Sequence, residues 1–294
     1  MRPLVAVDWG TSALRAARIA PDGAVLEERA STRGILGVPA GGFPAVLAET
    51  CGEWLGDAVA LCLVSGMAGS RQGWREAPYL ACPAGFPELA GGLLWIEQGR
   101  IALVPGLSCE ADGVPDVIRG EEVQVFGALD LLQRDEGTFV LPGTHSKWVQ
   151  VRDGRVQSFA TFMTGEVYAL LRQHSILARM MPPQDDPHDD EAFVRGVRHA
   201  QEARGLLHGA FSARTLALFD RMPAAALPSY LSGLVIGEEL RMREDAAGPV
   251  VLVGSPGLTQ RYGLALHALD REARSIGAEA TWRGLWALAR TLEE

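Results

Sequence analysis

Apolar runs alternate with short polar turns over residues 1–30. The runs Leu4 to Asp8 and Leu14 to Ile19 are separated by the turn Gly10-Thr11-Ser12, and Asp22-Gly23 separates the second run from a third over 24–29. Short apolar runs bounded by glycine, aspartate and serine are typical of strands joined by hairpin turns. The pattern therefore predicts a meander of three strands.

The same pattern returns in the middle of the chain. Strands are predicted over 138–141, 147–151 and 155–162, with turns at 143–146 and 153–154. Internal repetition is a sign of duplicated architecture. We therefore predict an α/β fold with two domains, residues 1–115 and 116–294, each of which begins with a meander and continues with helices.

Apolar periodicity predicts the other elements. The first domain adds a helix, a buried strand, a glycine-rich loop and a hairpin, over 43–55, 59–64, 65–74 and 93–104. The second domain is predicted to begin with a helix at Asp116. It continues with helices over 189–204, 206–219, 226–245, 257–270 and 279–292, a strand over 249–253 and a polar acidic loop over 182–191.

Composition and charge exclude several classes of protein. Hydrophobic residues make up 48% of the chain and charged residues 21%, as in soluble globular proteins. The net charge of −9 argues against nucleic-acid binding, which needs a basic surface. No apolar run has the roughly 18 residues of a membrane span, and Asp8 comes too early for a signal peptide. We expect a cytoplasmic protein with no nucleic-acid or membrane partner; a homodimer is compatible with the sequence.

Lys147 is the only lysine among the 27 basic residues, the others being arginine. The two residues are not interchangeable where a compact ammonium is needed. Lys147 ends the string Gly143-Thr144-His145-Ser146-Lys147, at the first turn of the second meander. Tight turns with glycines and hydroxyls can surround a phosphate with donors. We predict that this string binds phosphate; a surface hairpin is the alternative.

Asp8 and the turn Gly10-Thr11-Ser12 occupy the equivalent position in the first meander. Gly10, Thr11 and Ser12 are predicted to bind phosphate in the same way. Asp8, at the end of a strand, is predicted to hold Mg²⁺ directly or through water, because this cation takes oxygen ligands. An ordinary hairpin that contains glycine is the alternative.

A third candidate element follows the strand that ends at Val253. The residues Gly254-Ser255-Pro256-Gly257 open a helix there, and a glycine at such a turn lets a nucleotide approach the backbone. Gly254 and Ser255 are therefore predicted to bind a nucleotide. The chain contains no P-loop motif and no Gly-x-Gly-x-x-Gly fingerprint, and it does not match a nucleophile elbow.

In this order, the three elements resemble the actin-like ATPase superfamily of sugar kinases, Hsp70 and actin. Within it the chain resembles the 2-dehydro-3-deoxygalactonokinase family, and the resemblance spans nearly the whole chain. The strings that carry it are Val7 to Ser12, Ser65 to Trp74, Glu76 to Tyr79, Pro115 to Glu122, Leu141 to Trp148, Phe162 to Glu166 and Phe211 to Thr215.

The resemblance implies ATP-dependent phosphorylation of 2-dehydro-3-deoxygalactonate at its terminal (6-) hydroxyl, in galactonate catabolism. It also implies a two-domain actin-like, ribonuclease H-like fold with an interdomain cleft. The first domain would bind the sugar acid and the second would bind Mg-ATP. Many relatives in the superfamily carry an acidic residue ahead of Gly-Thr in the second turn, where this chain has Leu141 and Pro142. Metal binding is therefore expected to depend on Asp8 and on ATP itself.

Sugar kinases of this superfamily use an aspartate as the general base, at the start of a helix ahead of the second phosphate turn. Asp116 fits that position and is predicted to accept the proton of the sugar hydroxyl. Capping of the same helix is the alternative for Asp116. Asp112 is the second candidate for the base, and Glu121 and Glu122 follow on the same helix.

The loop that contains Ser70, Arg71, Gln72 and Trp74 is the candidate site for the sugar acid. Arg71 is predicted to bind the substrate carboxylate with two hydrogen bonds, Gln72 to contact hydroxyls and Trp74 to pack on the carbon chain. The alternative is a loop held in place by burial of Trp74, with Arg71 exposed.

Three rival functions remain open at this stage. One is an actin-like phosphohydrolase that needs no sugar, and another is a non-catalytic module that binds ATP. The third is a kinase that acts on 2-dehydro-3-deoxygluconate, which differs from the galactonate compound in the configuration of one hydroxyl. The cysteines at positions 51, 62, 82 and 109 show no metal-ligand spacing and are expected to be reduced.

Overall fold

A strand meander opens each half of the chain, as the repeat predicts. The computed structural model describes residues 2–56, 60–183, 188–243 and 248–293. The strands are β1 (Leu4–Trp9), β2 (Leu14–Ile19), β3 (Val25–Ser31), β4 (Leu61–Gly66), β5 (Tyr79–Ala81), β6 (Leu94–Glu97), β7 (Ile101–Leu103), β8 (Gly106–Ala111), β9 (Val114–Ile118), β10 (Gly137–Leu141), β11 (Ser146–Arg152), β12 (Arg155–Phe162), β13 (Val250–Val253) and β14 (Ala273–Ile276).

Ten α-helices lie within the described residues. They are α1 (Phe43–Leu55), α2 (Phe86–Gly91), α3 (Glu121–Leu132), α4 (Thr164–His174), α5 (Asp190–Glu202), α6 (Leu206–Gly209), α7 (Ser212–Leu218), α8 (Leu227–Arg241), α9 (Pro256–His267) and α10 (Glu279–Thr291). No helix in the described parts of the chain is both long enough and apolar enough to cross a membrane.

Two compact units divide the chain. The first comprises residues 1–137, 149–160 and 276–294, and the second comprises 138–148 and 161–275. These limits differ from the sequence-derived boundary between residues 115 and 116. The difference arises because α3 and the C-terminal α10 pack on each other within the first unit. A Cβ atom on Gly127 of α3 would lie 1.8 Å from the carbonyl oxygen of Ala280, so only glycine allows this close approach.

The first unit is organised by a six-stranded sheet with the order β3-β2-β1-β4-β7-β6. Strands β1 and β4 are parallel neighbours, and Asp8 pairs with Ser65 at their carboxyl ends. The buried faces of α1 and the sheet form a core in which Trp9 contacts Phe43 and Trp74. This packing fixes the loop that follows β4 against the end of β1.

A second sheet has the order β12-β11-β10-β13-β14. Residues 138–141 of β10 and all of β13 belong to the second unit, whereas residues 149–160 of β11 and β12 are assigned to the first. The first four strands of this sheet repeat the order β3-β2-β1-β4 of the first unit, and β10 and β13 are parallel, like β1 and β4. Side chains of α5, α8 and α9, including Phe193, Ile236 and Tyr262, cover this sheet with a buried apolar layer. The predicted duplication is thus present in the strand order as well as in the sequence.

Several sequence predictions need correction. The helix predicted at Asp116 is wrong, because Asp116 lies in β9 of a small sheet with the order β5-β8-β9 and the helix begins at Glu121. The predicted helix over 206–219 divides into α6 and α7. Strands β5, β8, β9 and β14 and helix α2 were not predicted, because each is short or lacks clear alternation. The predictions for residues 59, 184–187 and 244–245 lie outside the described residues.

Candidate active site

Asp8 lies near the end of β1, on the edge of the sheet where β1 and β4 both end. One carboxylate oxygen, Oδ2, accepts a hydrogen bond from Nη2 of Arg15 at 2.5 Å. The two residues face each other across the antiparallel β1–β2 pair. The pair is only partly exposed, so Asp8 is held in place and part of its charge is neutralised.

The turn after β1 is formed by Gly10, Thr11 and Ser12. The Gly10 N–H donates a hydrogen bond to the Ala13 carbonyl at 2.9 Å, while the side chains of Thr11 and Ser12 are exposed. Gly34 packs directly behind the turn, where a Cβ atom would lie 2.2 Å from the Thr11 carbonyl oxygen. The turn is therefore rigidly supported from behind and has free hydroxyls in front, as the phosphate-binding prediction requires.

Asp8 fits the role of a magnesium ligand that acts together with phosphate. Among the residues that the structure describes, no three His, Cys, Asp or Glu side chains form a group able to hold a metal ion. Mg²⁺ commonly binds proteins through one or two carboxylates and completes its shell with water and substrate phosphates. Asp8 would thus supply one carboxylate oxygen ligand, and the remaining oxygen ligands would come from the nucleotide and water.

The turn of the second meander separates into an exposed part and a buried part. Thr144 and His145 are exposed, whereas Ser146 and Lys147 are buried. The Lys147 ammonium, at 5% exposure for the residue, donates to the His145 carbonyl at 3.2 Å. Lys147 and Ser146 therefore support the turn from behind, and Gly143, Thr144 and His145 present it to solvent.

The N-terminus of α4 is fixed on this turn. The Glu166 N–H donates to the Thr144 carbonyl at 3.0 Å, and the Glu166 carboxylate contacts His145 Nε2 at 2.6 Å. A Cβ atom on Gly165 would lie 2.5 Å from the Gly143 carbonyl oxygen. The turn and the first residues of α4 are thus packed together and hydrogen-bonded to each other. These first residues of α4 belong to the string Phe162 to Glu166.

The strand, turn and helix predicted around Gly254 and Ser255 are confirmed. Strand β13 ends at Val253, and α9 begins at Pro256 with Ser255 as the preceding residue. Because β10 and β13 are parallel neighbours, their carboxyl ends meet. A Cβ atom on Gly254 would lie 3.8 Å from the Pro142 carbonyl oxygen. The third candidate element therefore lies beside the Gly143–His145 turn, at the end of a parallel pair where ligands commonly bind.

Glu239 of α8 is a buried carboxylate that sequence reasoning missed. Its oxygens accept hydrogen bonds from Ser146 (2.8 Å), Trp148 (2.7 Å), Tyr262 (2.6 Å) and Thr164. Burial raises the pKa of Glu239, and these four donors oppose the shift. The sequence does contain a sign of this buried carboxylate. Glu239 lies on the same helical face as Leu231, Val235 and Ile236, where an apolar side chain is normally expected.

The four donors to Glu239 come from three elements of the candidate nucleotide site. Ser146 and Trp148 belong to β11, directly after the turn; Thr164 begins α4; and Tyr262 belongs to α9. A carboxylate that accepts four hydrogen bonds has its acceptor capacity filled. Glu239 therefore ties together the elements that carry the Gly143–His145 turn and the Gly254 turn.

The loop after β4 differs from the substrate-binding prediction in two respects. The Arg71 side chain is 85% exposed and pairs with Glu76 at 3.3 Å, and Gln72 is also exposed. Trp74 stacks on Phe43 with 6.2 Å between ring centroids and is partly buried against the core. Ser70, by contrast, is buried, and its hydroxyl has no hydrogen-bond partner among the residues that the structure describes. The exposure of Arg71 and the packing of Trp74 agree with the alternative of a loop held in place by Trp74, and the substrate-binding roles remain predictions.

The carboxylate at the start of the helix is not Asp116. Oδ1 of Asp116 accepts a hydrogen bond from the N–H of Val117 in β9, and Asp112 lies exposed at the tip of the β8–β9 hairpin. Glu121 and Glu122 occupy the first turn of α3 instead. The general-base role of Asp116 remains a prediction, but the helical position from which it was argued belongs to Glu121.

The first turn of α3 lies next to the end of β4. A Cβ atom on Gly120 would be 3.2 Å from the Gly66 Cα atom, and one on Gly66 would be 3.4 Å from Asp8 Oδ1. Both carboxylate oxygens of Glu122 accept the Gly120 N–H, at 2.7 and 2.9 Å. Burial raises the pKa of Glu122 to about 8. Asp8 and two glutamates thus form the acidic part of the first unit's candidate site.

The fold is of the actin-like type that sugar kinases share. A solved structure from Porphyromonas gingivalis, assigned as an N-acetylglucosamine kinase, shares this fold over the full length of both chains, with a TM-score of 0.52 at 14% identity. At this identity the similarity concerns the fold alone.

Closer relatives identify the family. The profile of the 2-keto-3-deoxy-galactonokinase family matches residues 8–288, and the chain belongs to this family. A probable 2-dehydro-3-deoxygalactonokinase of Rhizobium meliloti is 38% identical over 98% of this chain and 96% of its own length. The 2-dehydro-3-deoxygalactonokinase of Escherichia coli is 32% identical over 98% of both chains. A Sinorhizobium meliloti crystal structure assigned to the same activity has a TM-score of 0.89 at 36% identity, covering 99% of both chains.

Proposed function

We propose that this chain phosphorylates 2-dehydro-3-deoxygalactonate at its terminal hydroxyl, with Mg-ATP as the phosphoryl donor. The observation that carries the proposal is the match to two relatives of this activity over 98% of the chain. The duplicated strand-and-turn sites support it, because each unit presents a rigid turn at the end of a parallel strand pair.

We assign the nucleotide to the second unit. Partly exposed Gly143 and exposed Thr144 and His145 offer backbone N–H groups, a hydroxyl and an imidazole to phosphate oxygens, and Gly254 leaves room for close approach of the nucleotide. Buried Ser146 and Lys147 hold the turn in shape. The bound ATP supplies the phosphoryl group, and the residues of the turn fix its orientation.

We assign the sugar acid and the acid–base chemistry to the first unit. Asp8 would hold Mg²⁺, and Arg15 fixes the orientation of its carboxylate. Glu121 is the candidate general base, because it is partly exposed and begins α3 directly after Gly120, which lies against Gly66 at the end of β4. Its carboxylate would accept the proton of the terminal hydroxyl as the oxygen bonds to phosphorus.

The proposal is tested by an assay of ADP release with Mg-ATP. The acceptors are 2-dehydro-3-deoxygalactonate, its gluconate epimer, plain sugars and no acceptor. We expect ADP release only with the sugar acids, and fastest with the galactonate compound. A preference for the gluconate epimer would support the assignment as a kinase and would change the assigned substrate. Equal release with and without acceptor would favour a phosphohydrolase, and nucleotide binding without release would favour a non-catalytic module.

A further inference from the structure

We propose that Arg119, together with Ser70, binds the carboxylate of the sugar acid. This inference rests on the proposed function, which supplies a substrate with a carboxylate at one end. It assigns the anion to a buried arginine between β9 and α3 and not to exposed Arg71.

Arg119 is a buried cation whose hydrogen-bonding capacity is largely unused. The residue is 8% exposed, and its Nη2 atom donates to the Ala77 carbonyl at 2.9 Å. Within the described part of the chain, its Nε and Nη1 atoms have no hydrogen-bond partner. Buried polar groups are nearly always paired, and an unpaired group of this kind calls for a specific explanation.

The neighbouring carboxylates of Glu121 and Glu122 accept hydrogen bonds from backbone N–H groups. Glu121 Oε2 accepts the backbone N–H of Arg119, and both oxygens of Glu122 accept the Gly120 N–H. A buried guanidinium is stable when an anion neutralises it, and a carboxylate matches the geometry of two parallel N–H donors. Arg119 therefore has the donors for an anion that arrives from outside the chain.

Two buried hydroxyls without partners lie in the same part of the first unit. Among the described residues they are Ser70 Oγ, in the loop predicted to bind the sugar acid, and Ser65 Oγ, near the end of β4. A Cβ atom on Gly69 would lie 2.9 Å from Arg119 Nη1, so the backbone next to Ser70 lies against the guanidinium. Ser65 Oγ is 3.9 Å from the Cβ position of Gly120. A carboxylate can accept about four hydrogen bonds, and Arg119 Nε, Arg119 Nη1 and the adjacent Ser70 hydroxyl would supply three of them.

Tyr79 covers the guanidinium and controls access to it. The Arg119 Cζ atom lies 4.2 Å from the centroid of the Tyr79 ring, and Tyr79 is 40% exposed. A face contact between a cation and a partly exposed ring is weaker than charge-assisted hydrogen bonds to a carboxylate. Substrate binding would therefore rotate this ring away from Nε and Nη1.

The experiment compares the sugar acid with its uncharged amide on wild-type protein and on Arg119→Met, Arg119→Lys, Ser70→Ala and Arg71→Met. Arg75→Met is the matched control, because Arg75 is an exposed arginine of the same loop. Affinities are measured by calorimetry without ATP, and KM is measured for both substrates. Circular dichroism and thermal unfolding establish that each variant is folded.

Wild-type protein is expected to prefer the acid over the amide roughly 100-fold, and Arg119→Met to lose this preference. Arg119→Lys should recover part of it, and Ser70→Ala should reduce it about fivefold. The KM for ATP should change less than about threefold in these variants, and Arg75→Met should behave as wild type. A merely structural role of Arg119 would weaken acid and amide alike.

Two results would overturn the inference. One is a folded Arg119→Met protein that still distinguishes acid from amide; the other is loss of the distinction in Arg71→Met. If Arg119→Met does not fold, the inference is overturned when Ser70→Ala and Arg119→Lys both keep the wild-type preference for the acid over the amide. If the sugar acid binds through Arg119 but wild-type protein transfers no phosphoryl group to it, the proposed function is wrong. The assignment of Arg119 as the carboxylate-binding residue is then still supported.

Discussion

The carboxylate of Glu239 accepts a hydrogen bond from the hydroxyl of Ser146 at 2.8 Å, although the two residues are 93 positions apart in sequence. Ser146 directly follows the exposed part of the Gly143–His145 turn. The turn is therefore held by a distant helix as well as by its own strand. A buried network of this kind restricts a backbone turn to one conformation when all its members are paired.

Glu239→Gln should weaken both stability and nucleotide binding. The amide nitrogen of glutamine is a donor and would face groups that are themselves donors, leaving at least one buried hydroxyl unpaired. We expect a loss of about 3 kcal/mol in the free energy of unfolding and a roughly tenfold higher KM for ATP. Urea unfolding and ATP titration measure the two effects.

Glu238→Gln is the matched control for this prediction. Glu238 pairs with Arg241 on the same helix, a contact near the surface that contributes little to stability. Its substitution should change the free energy of unfolding by less than about 0.5 kcal/mol. Equal effects of the two substitutions would contradict the role given to Glu239.

Gly165→Ala should displace the phosphate-binding turn. The added methyl group would lie 2.5 Å from the Gly143 carbonyl oxygen, so the turn or the start of α4 must shift. We expect kcat to fall at least roughly tenfold, because small displacements of positioning groups are costly in phosphoryl transfer. Gly263→Ala in α9 is the control, since its nearest neighbour atom would lie 3.9 Å away. A Gly165→Ala enzyme with wild-type kcat would show that the turn tolerates movement.

Glu122 should make the stability of the protein depend on pH. Burial raises its folded-state pKa to about 8, above the usual 4.5 of the carboxyl group. The folded protein therefore binds more protons than the unfolded chain between these two values, and this contribution to stability falls as pH rises through that window. The change is at most about 1.4 kcal/mol per pH unit.

Glu122→Gln isolates this effect, because glutamine does not titrate. Urea unfolding at about pH 5.5 and about pH 7.5 should show the wild-type protein losing stability relative to the variant. Parallel pH dependences of the two proteins would mean that Glu122 is ionised throughout this range or that its pKa is the same when the chain is unfolded.

Glu121→Gln and Asp116→Asn together test the assignment of the general base. Glu121 begins α3 beside Gly120, whereas Asp116 is in β9. Removal of a general base typically lowers kcat by about 10² to 10⁴-fold. We expect this loss in Glu121→Gln, with ATP binding unchanged, and at most about a threefold loss in Asp116→Asn. The opposite pattern would restore Asp116 as the base.

The meanders and the long helices of the fold were predictable from sequence. Strand β2 and helix α1 have the predicted limits, because alternating or periodic apolar residues end at glycine and other turn residues. The small sheet β5-β8-β9 was missed because β5 has only three residues and β8 and β9 lack clear alternation of apolar and polar residues. The error at Asp116 has the same origin, since Val114–Ile118 is a strand with polar residues where a helix start was expected.

For the candidate site, the sequence predicted where the turns lie better than it predicted which of their side chains are exposed or paired. The turns at Gly10 and Gly143 and the element at Gly254 are placed as predicted, because glycine and hydroxyl residues mark turns locally. The burial of Lys147, the packing of Trp74 against the core and the pairing of Arg71 with Glu76 depend on contacts made by the folded chain. Glu239 and Arg119 have polar side chains in buried positions, and only the structure shows which partners they have or lack.

The central claim is that this chain transfers a phosphoryl group from ATP to the terminal hydroxyl of a sugar acid. Phosphorus NMR of a reaction with ATP, Mg²⁺ and 2-dehydro-3-deoxygalactonate tests it most directly. The account predicts one phosphate monoester per ADP formed, with its signal split by the protons of the terminal CH₂ group. A signal of inorganic phosphate alone, equal in amount to the ADP, would contradict the claim.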